Sequence, residues 1–172
     1  LGLVAAHELH DAAERLDAAA DVLAQTPLGQ LTWQEWQQRW TVAFTAPAVA
    51  APVPAWLAGR RIAVARDAAF SFIYTANLEC LQAMGAELAF FSPIAGDRLP
   101  ACDALWLPGG YPELHLPALK ANAGLQLDLQ AHLEQRKPVW AECGGMVALA
   151  EGLTDLDSRW HSLWGLLPAQ AV

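Results

Sequence analysis

Cysteine is sparse in this chain of 172 residues: three thiols, Cys80, Cys102 and Cys143, set far apart. An odd, widely spaced set implies no disulfide framework, and the lack of any C-x-x-C pair speaks against a zinc site. A reducing cytoplasm is the compartment that fits. Basic residues are also short in supply. Ten Lys and Arg against eighteen Asp and Glu leave a net charge of −8, which argues against nucleic acid as a partner, because phosphate binding needs a basic face. Long apolar runs are missing too. The hydrophobic fraction of 55% is inflated by alanine, and no stretch is long enough to span a bilayer, so no membrane partner is expected. The opening Leu1-Gly2-Leu3-Val4 has no basic region before it and no cleavage-like site after it, which gives no signal peptide. No G-x-x-x-x-G-K-[ST] run exists, as neither Lys120 nor Lys137 follows a glycine. His7 and His10 have the spacing to share a helix face, but without cysteine or carboxylate in a familiar pattern they read as solvated side chains. No metal ligands are expected in this chain.

What is present divides in two. Leu9, Ala12, Ala13, Leu16, Ala19, Ala20 and Leu23 recur at helical spacing, and Thr26-Pro27-Leu28-Gly29 ends that helix. Thr32 opens a second helix, with Glu35 completing a capping box. Trp33, Trp36 and Trp40 share one face of it, read as a packing face rather than a sugar or base platform. If that face is exposed, it faced something missing from this chain. Residues 1–45 read as the helical tail of a preceding domain. Ala46 to Ala58 carries Pro47, Pro52 and Pro54 and reads as part of a linker over 46–59, since proline removes backbone donors and favours extended chain.

From residue 60 the texture changes. Arg61–Ala65, Glu87–Phe91 and Ala104–Leu107 read as strands, and a further strand, Pro138-Val139-Trp140, precedes Cys143. Between them, Asn77 to Met84, Leu114 to Ala121 and Leu125 to Gln135 read as helices. Strands alternating with helices predict an α/β fold with a mostly parallel sheet. Ligands in such sheets bind at the carboxyl ends of the strands. Three turns sit there: Arg66-Asp67, Pro108-Gly109-Gly110 and Glu142-Cys143-Gly144. The chain then reaches a strand-like piece near Leu167 and stops at Val172, so the domain over 60–172 reads as incomplete at its carboxyl end.

Ala141-Glu142-Cys143-Gly144-Gly145 joins a strand to a helix-like run, Met146 to Ala150. That is the pattern of a nucleophile elbow with cysteine in place of serine, and the flanking Ala141 and Gly145 are small, as the tight turn requires. A thiol at a helix N-terminus is drawn toward its thiolate. A small core cysteine beside a glycine turn is the alternative, and the pentapeptide alone leaves both open. The convergence of three turns favours the first. Cys143 is then the candidate nucleophile. Gly144, together with Gly109 and Gly110, supplies amide N–H groups for an oxyanion. The glycine pair taken alone is equally a plain turn. No proton shuttle is evident. His115 follows the glycine loop, His132 is expected on a solvent-facing helix, and His161 lies in an irregular stretch. Glu142 is expected to bond backbone amides, Cys80 to be half-buried and Cys102 to be exposed. Arg66 and Asp67 are expected to pair with each other or to orient their loop.

Several of these segments together resemble a known family. Ala63-Val64-Ala65-Arg66-Asp67-Ala68-Ala69-Phe70-Ser71-Phe72-Ile73-Tyr74, Asn77-Leu78-Glu79, Gly85-Ala86-Glu87-Leu88, Phe91-Ser92-Pro93, Gly109-Gly110-Tyr111-Pro112-Glu113-Leu114-His115, Ala141–Gly145 and Gly165-Leu166-Leu167-Pro168 are similar to the amidotransferase domain of cobyrinate a,c-diamide synthases. The match runs from about Arg61 to the end; residues 1–40 resemble the end of that family's ATP-binding domain less distinctively. The resemblance implies a class I glutamine amidotransferase-like, flavodoxin-like fold. It implies that Cys143 attacks the glutamine side-chain amide through a thioester, and that the ammonia released captures corrin carboxylates activated with ATP and magnesium, making amides of the a and c acetate groups. ATP and Mg2+ would be bound by a domain absent here. The activating histidine is expected beyond residue 172, so little glutaminase activity is expected of this chain alone. Glutamine is the expected partner, with a corrin tetrapyrrole in the full-length enzyme, and a homodimer is a further expectation.

Three rivals stand beside that reading. One is a related synthase acting on nickel sirohydrochlorin or making cobyric acid, although the loop after the first strand fits the a,c-diamide group better. Another is a binding module that kept the fold and lost catalysis. The last is a hydrolase of similar build, which requires a base within this chain.

Overall fold

A computed structural model describes residues 9–45, 53–155 and 157–172. His7 and residues 46–52 of the expected linker lie outside the described residues. The chain divides into two compact units, Leu1–Ala50 and Ala51–Val172.

In the first unit, helix α1 spans Ala12–Ala24 and helix α2 spans Trp33–Trp40. The expected capping box is present: the Glu35 N–H donates to the Thr32 hydroxyl, and the Glu35 carboxylate accepts from the Thr32 N–H. Trp36 and Trp40 have ring centroids 4.5 Å apart. The stripe nevertheless departs from the packing face expected of it, because Trp33 and Trp40 remain exposed. An eight-residue helix gains little from propensity alone, so its stability rests on what its apolar face meets.

The second unit begins its sheet with β1 (Arg61–Ala65). Helix α3 (Thr75–Ala83), strands β2 (Glu87–Phe91) and β3 (Ala104–Leu107), a 3₁₀ turn (Pro112–His115), α4 (Leu116–Ala121), α5 (Ala123–Glu134) and β4 (Val139–Ala141) follow. Helix α6 (Gly144–Leu149) leads into β5 (Ala150–Thr154), β6 (Trp160–Ser162) and β7 (Leu167–Ala171). The first sheet has the order β2-β1-β3-β4, all parallel. A second sheet, β6-β5-β7, pairs β5 antiparallel with β6 and parallel with β7. The fold is thus α/β, with a mostly parallel sheet.

The inner strands β1 and β3 are covered on both faces, which is why they read as continuous apolar runs. Side chains alternate along each strand. Ala63, Ala65, Leu105 and Leu107 pack with Leu119, Leu125, Leu129 and Ala148, whereas Ile62, Val64 and Trp106 pack with Leu57, Ile73, Leu78 and Leu81. The strand order reverses direction at β1 and β3, so the loops after those two strands open a crevice at their carboxyl ends.

Helix α5 corrects two expectations. His132 is buried, not solvent-facing, because Leu125, Leu129 and His132 form the i, i+4, i+7 row that meets the sheet. Its Nε2–H donates to the Pro138 carbonyl at 3.1 Å, which leaves Nδ1 to face Cys102 Sγ at 3.8 Å. Cys102 is likewise buried rather than exposed, and burial raises its thiol pKa. Cys80, expected half-buried, is exposed with Cys143. Iodoacetamide at neutral pH should therefore modify Cys80 and Cys143 in the folded chain and spare Cys102 until denaturant is added. Peptide mass spectrometry reads this directly, and early modification of Cys102 would refute the buried assignment.

Charge adds a pH-dependent layer. Hydrogen bonding from Arg98, then from the Leu99 N–H, holds the Asp128 carboxyl below its usual range, while partial burial opposes them. Asp155 is lowered first by His161 and then by the Arg159 N–H. A depressed carboxyl contributes stability that is fully present above its unfolded pKa, about 4, and is lost as pH falls through the lower folded value. Melting temperatures measured from pH 7 to pH 3 should show the protein losing stability below about pH 4. Asp128→Asn should start lower and fall less steeply; parallel curves would contradict the linkage.

Candidate active site

Strand β4 sets the first part of the site. Its pairing with β3 continues past the strand, because the Glu142 N–H donates to the Leu107 carbonyl at 3.0 Å. The chain then turns sharply at Cys143, at φ 47° and ψ −116°. A non-glycine residue pays strain for such a conformation, of order 1–3 kcal/mol. Helix α6 starts immediately. The Gly145 N–H donates to the Glu142 carbonyl, and the Met146 and Val147 N–H groups both donate to the Cys143 carbonyl. Strand, strained turn and helix give the backbone shape of a nucleophile elbow, with an exposed thiol at its tip. Glu142 differs from expectation: its carboxylate accepts from the Trp140 indole N–H at 2.8 Å, not from backbone amides. Both side chains are exposed, and among the described residues no backbone N–H donates to that carboxylate.

The glycine loop after β3 meets the elbow from the other side. A Cβ on Gly144 would stand 2.3 Å from the Gly110 carbonyl oxygen, and one on Gly145 would stand 2.2 Å from the Leu107 oxygen. The two turns thus interlock backbone against backbone. Gly109 lies beside the nucleophile: the point where its Cβ would sit is 3.4 Å from Cys143 Cβ. Among the described residues, no acceptor takes the N–H of Gly110 or of Gly144. The four residues singled out in the sequence therefore come together.

The loop after β1 completes the rim. Asp67 organises it and makes no ion pair with Arg66. One carboxylate oxygen accepts from the Ala69 and Phe70 N–H groups, and the other accepts from the Ser92 hydroxyl and the Ile94 N–H. Arg66 instead lies over the Phe90 ring, 4.1 Å from its centroid. The loop reaches the glycine turn through the Phe72 N–H, which donates to the Gly109 carbonyl at 3.0 Å. Replacing Asp67 by Ala would leave two buried-side amides unpaired and free the loop. We expect a loss of about 2–3 kcal/mol in urea unfolding; a loss under about 0.5 kcal/mol would show that the loop holds without it.

The histidines do not converge on the sulfur. His161 Nε2 lies 2.7 Å from Asp155 Oδ2 on the second sheet, His132 serves the core, and His115 has a buried Nε2 without a partner. Among the described residues no hydrogen bond joins a histidine to Cys143. Sequence reasoning also missed Phe72 and Tyr111, whose rings meet edge-to-face beside Gly109. Both lie within the motifs quoted above, but nothing in their spacing brought the two rings together beside the glycine turn. An apolar groove of about 380 Å³ runs elsewhere, along the sheet face between Ile62, Leu81, Trp106 and Trp140, and Cys143 is not among its walls.

An α/β domain with a cysteine elbow interlocked with a glycine turn at the sheet's carboxyl edge is the class of protein defined here. The chain belongs to the CobB/CobQ-like glutamine amidotransferase domain family, which matches residues 61–172. It is 53% identical over 171 residues to the hydrogenobyrinate a,c-diamide synthase of Stutzerimonas stutzeri and 50% identical over 174 residues to that of Pseudomonas aeruginosa. It is 40% identical over 173 residues to the cobyrinate a,c-diamide synthase of Herminiimonas arsenicoxydans. These alignments take in 99%, 99% and 100% of the chain, and 38% of each relative's length.

Proposed function

We propose that this chain is the glutamine-hydrolysing portion of a cobyrinate or hydrogenobyrinate a,c-diamide synthase. The observation that carries the reading is the exposed Cys143 thiol at a strained elbow, locked against a glycine loop, with the Gly110 and Gly144 amides unspent. The Cys143 thiolate attacks the side-chain amide carbon of glutamine. The carbonyl oxygen becomes an oxyanion and takes the N–H groups of Gly144 and the Gly109–Gly110 turn. Collapse breaks the C–N bond and forms a thioester, and the departing nitrogen takes up the proton that the Cys143 thiol gave up on ionising, leaving as ammonia. Water then adds to the thioester carbon, and glutamate departs as the thiol is restored.

A carboxylate of the ring substrate would consume the ammonia, and ATP with magnesium would supply its activation. The residues in hand do not fit those groups. No G-x-x-x-x-G-K-[ST] run is present, and among the described residues no cluster of three His, Cys, Asp or Glu is placed to hold a cation. We assign that half-reaction to the remainder of the full-length polypeptide. A module that keeps the fold without turnover is the second reading, favoured by the lack, among the described residues, of a histidine bonded to Cys143.

A glutamine-derived chloroketone tests the site. It should alkylate Cys143 faster than Cys80, with free glutamine protecting. Equal rates at the two exposed thiols, or no protection, would overturn the assignment.

A further inference from the structure

The oxyanion donors of this site can recognise only a carbonyl, and every primary amide has one. Preference for glutamine must come from contacts to its two methylenes or to its amino-acid head. The glycine turn that flanks Cys143 has aromatic surface against it. The point a Gly109 Cβ would occupy lies 3.2 Å from Phe72 Cδ2, 3.4 Å from Phe72 Cβ and 3.4 Å from Cys143 Cβ. The edge of the Phe72 ring and the nucleophile's stem thus flank one methyl-sized space.

That ring is not loosely placed. Its backbone N–H is bound to the Gly109 carbonyl, its loop is pinned by Asp67, and its neighbours Ala69 and Phe70 are fully buried. The Tyr111 ring meets it edge-on, with centroids 5.2 Å apart at 84°. Phe72 still leaves 42% of its surface exposed. A held aromatic pair with an open face at the rim of a polar site is suited to cover an aliphatic chain.

We propose that Phe72 and Tyr111 form the apolar wall that grips the methylene stem of glutamine, making them the residues that set the site's preference for a stem-bearing amide. The inference rests on the glutaminase reading of Cys143. The wall removes the stem from water while the amide carbon sits over the sulfur. A small amide such as acetamide gains the oxyanion contacts and nothing from the rings.

The test uses the full chain and two electrophiles: the glutamine-derived chloroketone, which carries the stem, and chloroacetamide, which does not. Rates of alkylation at Cys143 are read by peptide mass spectrometry, with protection of Cys102 certifying that each variant is folded. The ratio of the two rates should fall about tenfold in Phe72→Ala, the scale of one lost apolar contact to a substrate. Tyr111→Ala should show a similar fall, and Phe72→Leu, which keeps apolar bulk, should retain most of the ratio. A ratio within about twofold of the unsubstituted chain in both alanine variants would overturn the wall. If the unsubstituted chain itself shows no preference for the chloroketone at Cys143 over Cys80, the glutaminase reading fails, and the wall with it.

Discussion

On the glutaminase reading of Cys143, glutamate release from glutamine should fall by about four to six orders of magnitude when Cys143 is replaced by Ala in the full-length polypeptide, the scale set by removing a covalent nucleophile. The reason is specific to this elbow. The exposed sulfur of Cys143 stands at the tip of the turn, and Gly144 and Gly145 next to it have no side chain to act in its place. The carboxylate of Glu142 is engaged by Trp140. Ammonia supplied from solution should still support amidation, because only the ammonia source has been removed. Glutamine-driven turnover within tenfold of normal would place the chemistry elsewhere. The same position supports a second reading of its strain. Cys143 holds φ 47°, which glycine adopts without penalty. Cys143→Gly should therefore melt no lower than Cys143→Ala, against the usual cost of about 0.5–1 kcal/mol for glycine. A lower melting temperature for the glycine variant would show that the elbow stores no strain at this residue.

Gly145→Ala should cost about 4 kcal/mol or more and leave little folded protein, among the larger effects a single methyl group can have. Its Cβ would stand 2.2 Å from the Leu107 oxygen, 2.7 Å from the Leu107 carbonyl carbon and 2.7 Å from the Pro108 oxygen. All are backbone atoms at the end of β3, so no side-chain rotation relieves the clash. Either α6 moves off the sheet or the β3–β4 ladder opens. Gly96→Ala is the control: it has φ 88° and open space around it, so it should lose only about 1 kcal/mol from its backbone conformation. Urea unfolding of both compares a steric block with simple strain. Similar losses would mean that the elbow relaxes readily and that its interlock with the glycine loop is loose.

The local readings that survived were those in which neighbouring residues decide the outcome. Arg61–Ala65, Glu87–Phe91 and Ala104–Leu107 are strands with the bounds expected of them, because a short apolar run with polar, Pro or Gly residues at its ends has one good solution in an α/β sheet. The Thr32–Glu35 capping box is local by nature. The elbow at Cys143 follows from small residues between a strand and a helix. The readings that failed concern residues whose setting depends on distant chain. His132 was expected in water, yet its place on α5 depends on which row of that helix meets β3 and β4. Cys102 was expected to be exposed because it lies in a loop, but that loop is roofed by His132. Phe72 lies 37 residues before Gly109 in the chain, and no periodicity connects them.

By itself the sequence determined an α/β domain with a cysteine at the bend between the strand Val139–Ala141 and the following helix, because strand, turn and helix signals act over a few residues. Only the tertiary structure decided what stands around that cysteine. The parallel sheet brings the ends of β1, β3 and β4 together across gaps of 30 to 40 residues. The Gly110 carbonyl over Gly144 and the Phe72 side chain against Gly109 exist through that closure, and pairing of β1 with β2 likewise gives Asp67 its two distant bonds, to Ser92 and Ile94.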